Sequence, residues 1–148
     1  MKRVSGLNAY QQVQTESLAH GGRGAELVVM LYDGVLEALA SAVGCMKRKE
    51  WQPASRNFTR AMTITAGLRE SLDFERGNPV ADDLMRFYNS LTAQLIDAQI
   101  HRNTEKVEQC LTWVREVRSS WQQLASREEA FDGASLAHLP LGAAFAIL

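Results

Sequence analysis

Four stretches of helical apolar periodicity, separated by breaks only a few residues long, leave this chain little choice of fold. The first runs from about Gly24 to Arg48 and places Leu27, Leu31, Val35, Ala38, Leu39, Ala42 and Met46 on one stripe. The second spans roughly Pro53 to Leu72, with Ala54, Phe58, Ala61, Thr65, Leu68 and Leu72 in register. The third covers Pro79 to His101 through Val80, Leu84, Phe87, Leu91, Leu95 and Ala98, and the fourth runs from Thr104 to Leu124 through Val107, Cys110, Leu111, Val114, Val117 and Trp121. Steps of three and four residues put such side chains on one face of an α-helix, and no period-two pattern competes. Each stripe needs a partner, because an isolated helix of this length is marginal in water.

The breaks support the same reading. Proline fits the first turn of a helix and is excluded from its interior. Pro79, behind Asn78 as a cap, opens the third helix, with Asp82 and Asp83 suited to the positive end of the helix dipole. Gln52-Pro53 is a weaker start of the same kind, Asn103 is the expected cap for the fourth helix, and Lys47-Arg48-Lys49 suits the negative end of the first. The links, about Lys49 to Gln52, Asp73 to Asn78 and Arg102-Asn103, are short enough to make neighbours antiparallel. The expected fold is therefore all-α: an antiparallel up-down four-helix bundle over residues 24–125. Residues 1–23 are expected to form a mobile N-terminal arm, hinged at Gly21-Gly22-Arg23-Gly24, and residues 126–148 an apolar C-terminal tail.

Composition narrows function mainly by exclusion. A length of 148 residues is one domain's worth, and a net charge of −1 offers no electrostatic case for nucleic acid or an anionic membrane. The start, Met1-Lys2-Arg3-Val4-Ser5-Gly6, is charged without a following apolar core, so it does not read as a secretory signal. The apolar end, Leu139 to Leu148, is too short to span a bilayer. Cys45 and Cys110 have no paired spacing and fit a reducing compartment; both read as buried thiols at one end layer of the bundle, with a redox pair as the alternative.

Chemistry is sparse. The paired Glu-x-x-His motifs by which bundles hold carboxylate-bridged metals do not occur. His101 sits at a helix end beside Arg102 and Asn103, where a solvated terminal histidine is the expected reading. Asp82-Asp83 are explained as first-turn charges. No Gly-rich phosphate loop follows a strand. Neither a cofactor nor a catalytic group is expected.

One apolar block is unusual: Leu27-Val28-Val29-Met30-Leu31-Tyr32-Asp33-Gly34 ends in an Asp-Gly pair in mid-helix. Leu27, Met30 and Leu31 are expected in the core, Gly34 to permit close helix approach, and Asp33 to hold a polar contact. This block, with Asn8-Ala9-Tyr10, Gln14-Thr15-Glu16-Ser17, Gly67-Leu68-Arg69-Glu70-Ser71-Leu72-Asp73, Leu84-Met85-Arg86-Phe87-Tyr88 and the stretch from Val107 to Trp121, resembles the flagellar export chaperone family FliS, in order and with compatible gaps.

The resemblance implies a non-enzymatic cytosolic chaperone. Its partner would be the C-terminal disordered region of flagellin, which it keeps from polymerising and delivers to the flagellar type III export machinery. Helix-in-groove docking of a segment that folds on binding suits such a role. Leu7, Asn8, Ala9, Tyr10 and Val13 lie in or beside the family's N-terminal motif, linked to flagellin binding and to covering the groove in the free chaperone. A generic helical adaptor for another export substrate or flagellar regulator is the alternative. The chain departs from the family where Arg23-Gly24 replaces a Ser-Pro pair before the first long helix, and in the tail beyond Leu124. For that tail the plain reading is a disordered or self-docked end; the sharper one is that Leu136 to Leu148 occupies the flagellin groove of its own or a neighbouring subunit.

Overall fold

The computed structural model of the chain describes residues 24–72 and 79–130. They form four helices: α1 (Gly24–Lys47), α2 (Trp51–Glu70), α3 (Pro79–Ile100) and α4 (Thr104–Ala130). Pairings between them establish the direction of each. Along α1, Gly34, Glu37 and Cys45 stand against Ile64, Arg60 and Asn57 of α2, so partner numbers fall as α1 numbers rise. Ser55 with Gln99 and Arg69 with Asn89 do the same for α2 and α3. The bundle is up-down-up-down, with α1 packed closely on α2 and α4 and α3 closing the ring against the same two helices.

Side-chain size explains that asymmetry. Ala38, Ala42, Ala54 and Ala61 are fully or almost fully buried and let α1 and α2 approach. The α3 side is filled by Phe58, Phe87, Tyr88, Leu91 and Leu95, which hold helix axes farther apart. By length and composition α1 would suit a membrane span, with a mean hydropathy of 1.6. Its apolarity has another use here, since it contributes Val35, Ala38, Leu39 and Ala42 to the centre of the core.

Helix ends follow local rules, with instructive departures from the sequence reading. α2 starts at Trp51, two residues before the expected Pro53; the first intrahelical bond runs from the Ala54 N–H to the Glu50 carbonyl, so proline occupies a position whose missing N–H costs no bond. α2 closes at Glu70, and Leu72 is half-buried beyond it. α4 continues to Ala130, past Leu124, because Ser126–Ala130 contains no helix breaker. α1 and α3 end alike. Lys49 (φ 59°) and Arg102 (φ 51°) turn left-handed, letting Glu50 N–H bond the Cys45 carbonyl at 2.8 Å and Asn103 N–H bond the Ala98 carbonyl at 2.9 Å. Asn103 then caps α4, its side-chain oxygen accepting from the Lys106 N–H at 3.1 Å.

Candidate functional site

The groups that sequence alone singled out for chemistry are occupied with structure. Asp83 pairs with Arg86 one turn on, and Asp82 lies in the first turn of α3. His101 is exposed at the end of α3, its Nδ1 3.0 Å from the Asp97 carbonyl and 3.2 Å from the Asp97 carboxylate. Lys106 donates to the same carboxylate and, ahead of His101, holds it below its usual range. Cys45 and Cys110 are both free and buried. Burial pushes the Cys110 thiol up to about 12, which makes it a packed apolar group and not a nucleophile. Among the described residues no group of three His, Cys, Asp or Glu side chains converges as a metal site would require.

Inside the bundle, two tyrosines meet. The hydroxyls of Tyr32 on α1 and Tyr88 on α3 are 2.9 Å apart, with the rings edge-on. Burial raises the Tyr32 hydroxyl above its ordinary value, and the Tyr88 bond and the nearby Trp121 indole offset this only in part. The Trp121 Nε1–H is itself buried without a hydrogen-bond partner among the described residues. A cavity of about 10 Å³ lies beside the pair, against Thr65 and Leu68, far below the size of a ligand pocket.

The octet at the start of α1 divides between core and surface. Leu31, Tyr32 and Val29 are buried, while Leu27 is half-buried. Met30 is 59% exposed, which corrects its expected place in the core. The physical reason is angular: at about 100° per residue Met30 falls to the side of the stripe through Leu31 and Val35. Asp33 has the polar contact expected of it, with Arg118 of α4 donating to both carboxylate oxygens at 2.5 and 3.4 Å. Gly34 permits the expected approach of α2, since a Cβ there would sit 3.1 Å from Ile64 Cδ1.

The remaining apolar surface is on α3. Ile96 and Ile100, 45% and 70% exposed, form a one-turn stripe with Ala93 on the outward face of the helix. The Ser55–Gln99 and Arg69–Asn89 ties place half-buried Met62 level with Gln94, next to this stripe across the α2–α3 furrow. Where α2 begins and α3 ends, Trp51 carries the Arg102 guanidinium 4.1 Å above its ring. Sequence reading missed Ile96 and Ile100, although both fall off the Leu84–Leu91–Leu95 stripe by more than a quarter turn. The expected arm residues Leu7, Asn8, Ala9, Tyr10 and Val13 lie outside the described residues.

A helical bundle whose described polar groups serve caps, surface ties and one buried tyrosine pair, and whose apolar residues spill onto a shallow furrow, is built like a docking scaffold. Sequence comparison gives that scaffold its family: the profile described as flagellar protein FliS matches residues 6–128, and the chain belongs to this family. A Pseudomonas aeruginosa relative, flagellar secretion chaperone FliSB, is 32% identical over 125 residues, covering 84% of this chain and 99% of its own length. The Escherichia coli flagellar secretion chaperone FliS is 30% identical, covering 83% of this chain and 91% of its own. The Bacillus subtilis protein of the same name is 24% identical over 81% of this chain and 86% of its own.

Proposed function

We propose that this protein is a non-enzymatic flagellar export chaperone that binds the C-terminal disordered region of flagellin in the cytosol. By occupying that region it prevents premature polymerisation and supports delivery to the flagellar type III export apparatus, whose components are its secondary partners. The observation that carries this reading is the family match across residues 6–128, with relatives named flagellar secretion chaperones aligned over most of their length. The apolar furrow between α2 and α3 supports it physically. Met62, Ile96 and Ile100 offer the spaced anchors that an amphipathic helix needs, and Arg69, Asn89 and Gln99 give it a polar border. The ordering cost of a segment that folds on binding keeps such a complex releasable.

Leu7, Asn8, Ala9, Tyr10 and Val13 are proposed as the arm residues that take part in flagellin binding. An aromatic point in a polar arm makes an effective docking anchor. Calorimetry of the full chain with a flagellin C-terminal segment tests the proposal. Stoichiometric binding is expected, weakened about tenfold or more by Tyr10→Ala, as loss of an anchoring aromatic implies. Absence of binding, with a pull-down dominated by another export substrate, would instead favour a generic helical adaptor.

A further inference from the structure

The end of the bundle where α1 begins and α4 finishes presents one exposed large apolar side chain among the described residues. Met30 is exposed there and Leu27 is half-buried beside it. Carried along the antiparallel register that sets Gly34 against Ile64, Met30 is level with Leu68 and Leu27 with Ser71. Gly67 on α2 is buried where the two helices meet, and the half-buried Gly34 on α1 and Ser71 on α2 contribute little side-chain bulk at this level, so the α1–α2 furrow beside Met30 is shallow.

What could cover it emerges at the same end. The Asp33–Arg118 tie sets Gly24 level with Arg127, so α4 finishes at Ala130 just beyond the first turn of α1. Met30 lies only about 14 Å back along the axis, at 1.5 Å per residue. Residues 133–148 follow without a single Asp, Glu, Lys or Arg, and they include Leu136, Leu139, Leu141, Phe145, Ile147 and Leu148. This stretch lies beyond the part of the chain that matches the family, residues 6–128. Six residues of extended chain, about 20 Å at ~3.3 Å each, bring Leu136 within reach of the furrow. An uncharged apolar segment loses surface free energy by lying on an apolar furrow, and a tether this short keeps its effective concentration in the millimolar range or above.

We propose that Leu136–Leu148 docks back onto its own bundle, in the furrow between the first half of α1 and the last turns of α2, with Met30 at the contact. The segment then shields this end of the scaffold until a partner displaces it. The shielding step rests on the chaperone reading; the docking does not.

The test uses the full chain labelled at its methionine methyl groups, compared by NMR with the full-length double variant Phe145→Ser, Ile147→Ser. The Met30 resonance, assigned with Met30→Leu, is expected to move between the two proteins while that of buried Met46 stays in place. The movement should persist on tenfold dilution. An unmoved Met30, movement confined to Met85 or Met62, or a shift lost on dilution (a second copy's segment as occupant) would each overturn the proposal. A flagellin C-terminal peptide long enough to run from the α2–α3 furrow onto this end of the bundle must displace the segment, so the double variant is expected to bind it about threefold more tightly. A peptide that binds neither protein would defeat the chaperone reading and leave the methyl result intact.

Discussion

The Tyr32 hydroxyl meets the Tyr88 hydroxyl 2.9 Å away in the core, a hydrogen bond that ties α1 to the diagonally opposite α3. A buried hydroxyl left without its partner costs about 1–3 kcal/mol, whereas removing both can be nearly neutral. Tyr88→Phe is therefore expected to destabilise the bundle by about that amount. Adding Tyr32→Phe should restore part of the loss, which appears as a coupling energy in a double-mutant cycle read by urea denaturation. Strict additivity would show that the two hydroxyls do not depend on each other.

Adjacent residues on α3 should separate stability from binding. Leu95 is fully buried and Ile96 is 45% exposed. Leu95→Ala is expected to cost about 2–5 kcal/mol, as core truncations do, and Ile96→Ala to stay within about 0.5 kcal/mol of the parent. Affinity for a flagellin C-terminal segment should respond in the opposite order once folding is corrected for, with Ile96→Ala weakening it. If Ile96→Ala leaves calorimetric affinity unchanged, the α2–α3 furrow is not the docking surface.

Gly34 allows a graded test of helix approach. Alanine gains about 1 kcal/mol of helix propensity over glycine, and the neighbour its Cβ would press, Ile64 Cδ1 at 3.1 Å, is the movable end of a side chain. Gly34→Ala should therefore fall between neutral and mildly stabilising. Gly34→Leu has no such relief and is expected to cost about 1–3 kcal/mol through overpacking against α2. Thermal melts of both variants check the sign of each.

Lys49 adopts a left-handed conformation to end α1, at about 1–2 kcal/mol of strain for a residue with a Cβ, against an entropic cost of about 0.5–1 kcal/mol for glycine. Lys49→Gly should raise stability by up to about 1 kcal/mol in urea titrations. Arg102→Gly at the matching end of α3 should gain less, because it also removes the guanidinium stacked on Trp51.

Alkaline pH should loosen the bundle. The Cys110 thiol ordinarily titrates near 9.0 and is pushed up to about 12 by burial, so the folded state keeps its proton to higher pH than the unfolded chain. The stability this contributes is complete below the unfolded value and is lost as pH rises toward the folded one, at up to roughly 1.4 kcal/mol per pH unit. Tyr32 acts in the same direction at still higher pH. The urea midpoint should fall between about pH 8 and pH 10.5, and fall less in Cys110→Ala, where that buried thiol is gone. Equal pH dependence in both proteins would contradict the assignment.

Periodicity alone was enough to identify four helices, their antiparallel order and most of the core, because a three-and-four repeat with short links has few other ways to bury its stripes. Asn103 as a cap, Gly34 as a close approach and the free cysteines were legible for the same local reason. The family, too, was readable from an ordered set of short motifs. Tertiary structure decided what depends on angle and on residues far apart in sequence: that Met30 leaves the core while Leu31 enters it, that Asp33 finds Arg118, and that Tyr32 finds Tyr88. It also exposed Ile96 and Ile100 beside Met62. A one-dimensional pattern records how often apolar residues recur. Only the packed bundle determines which side of each helix a neighbour covers, and therefore which apolar residues remain for a partner.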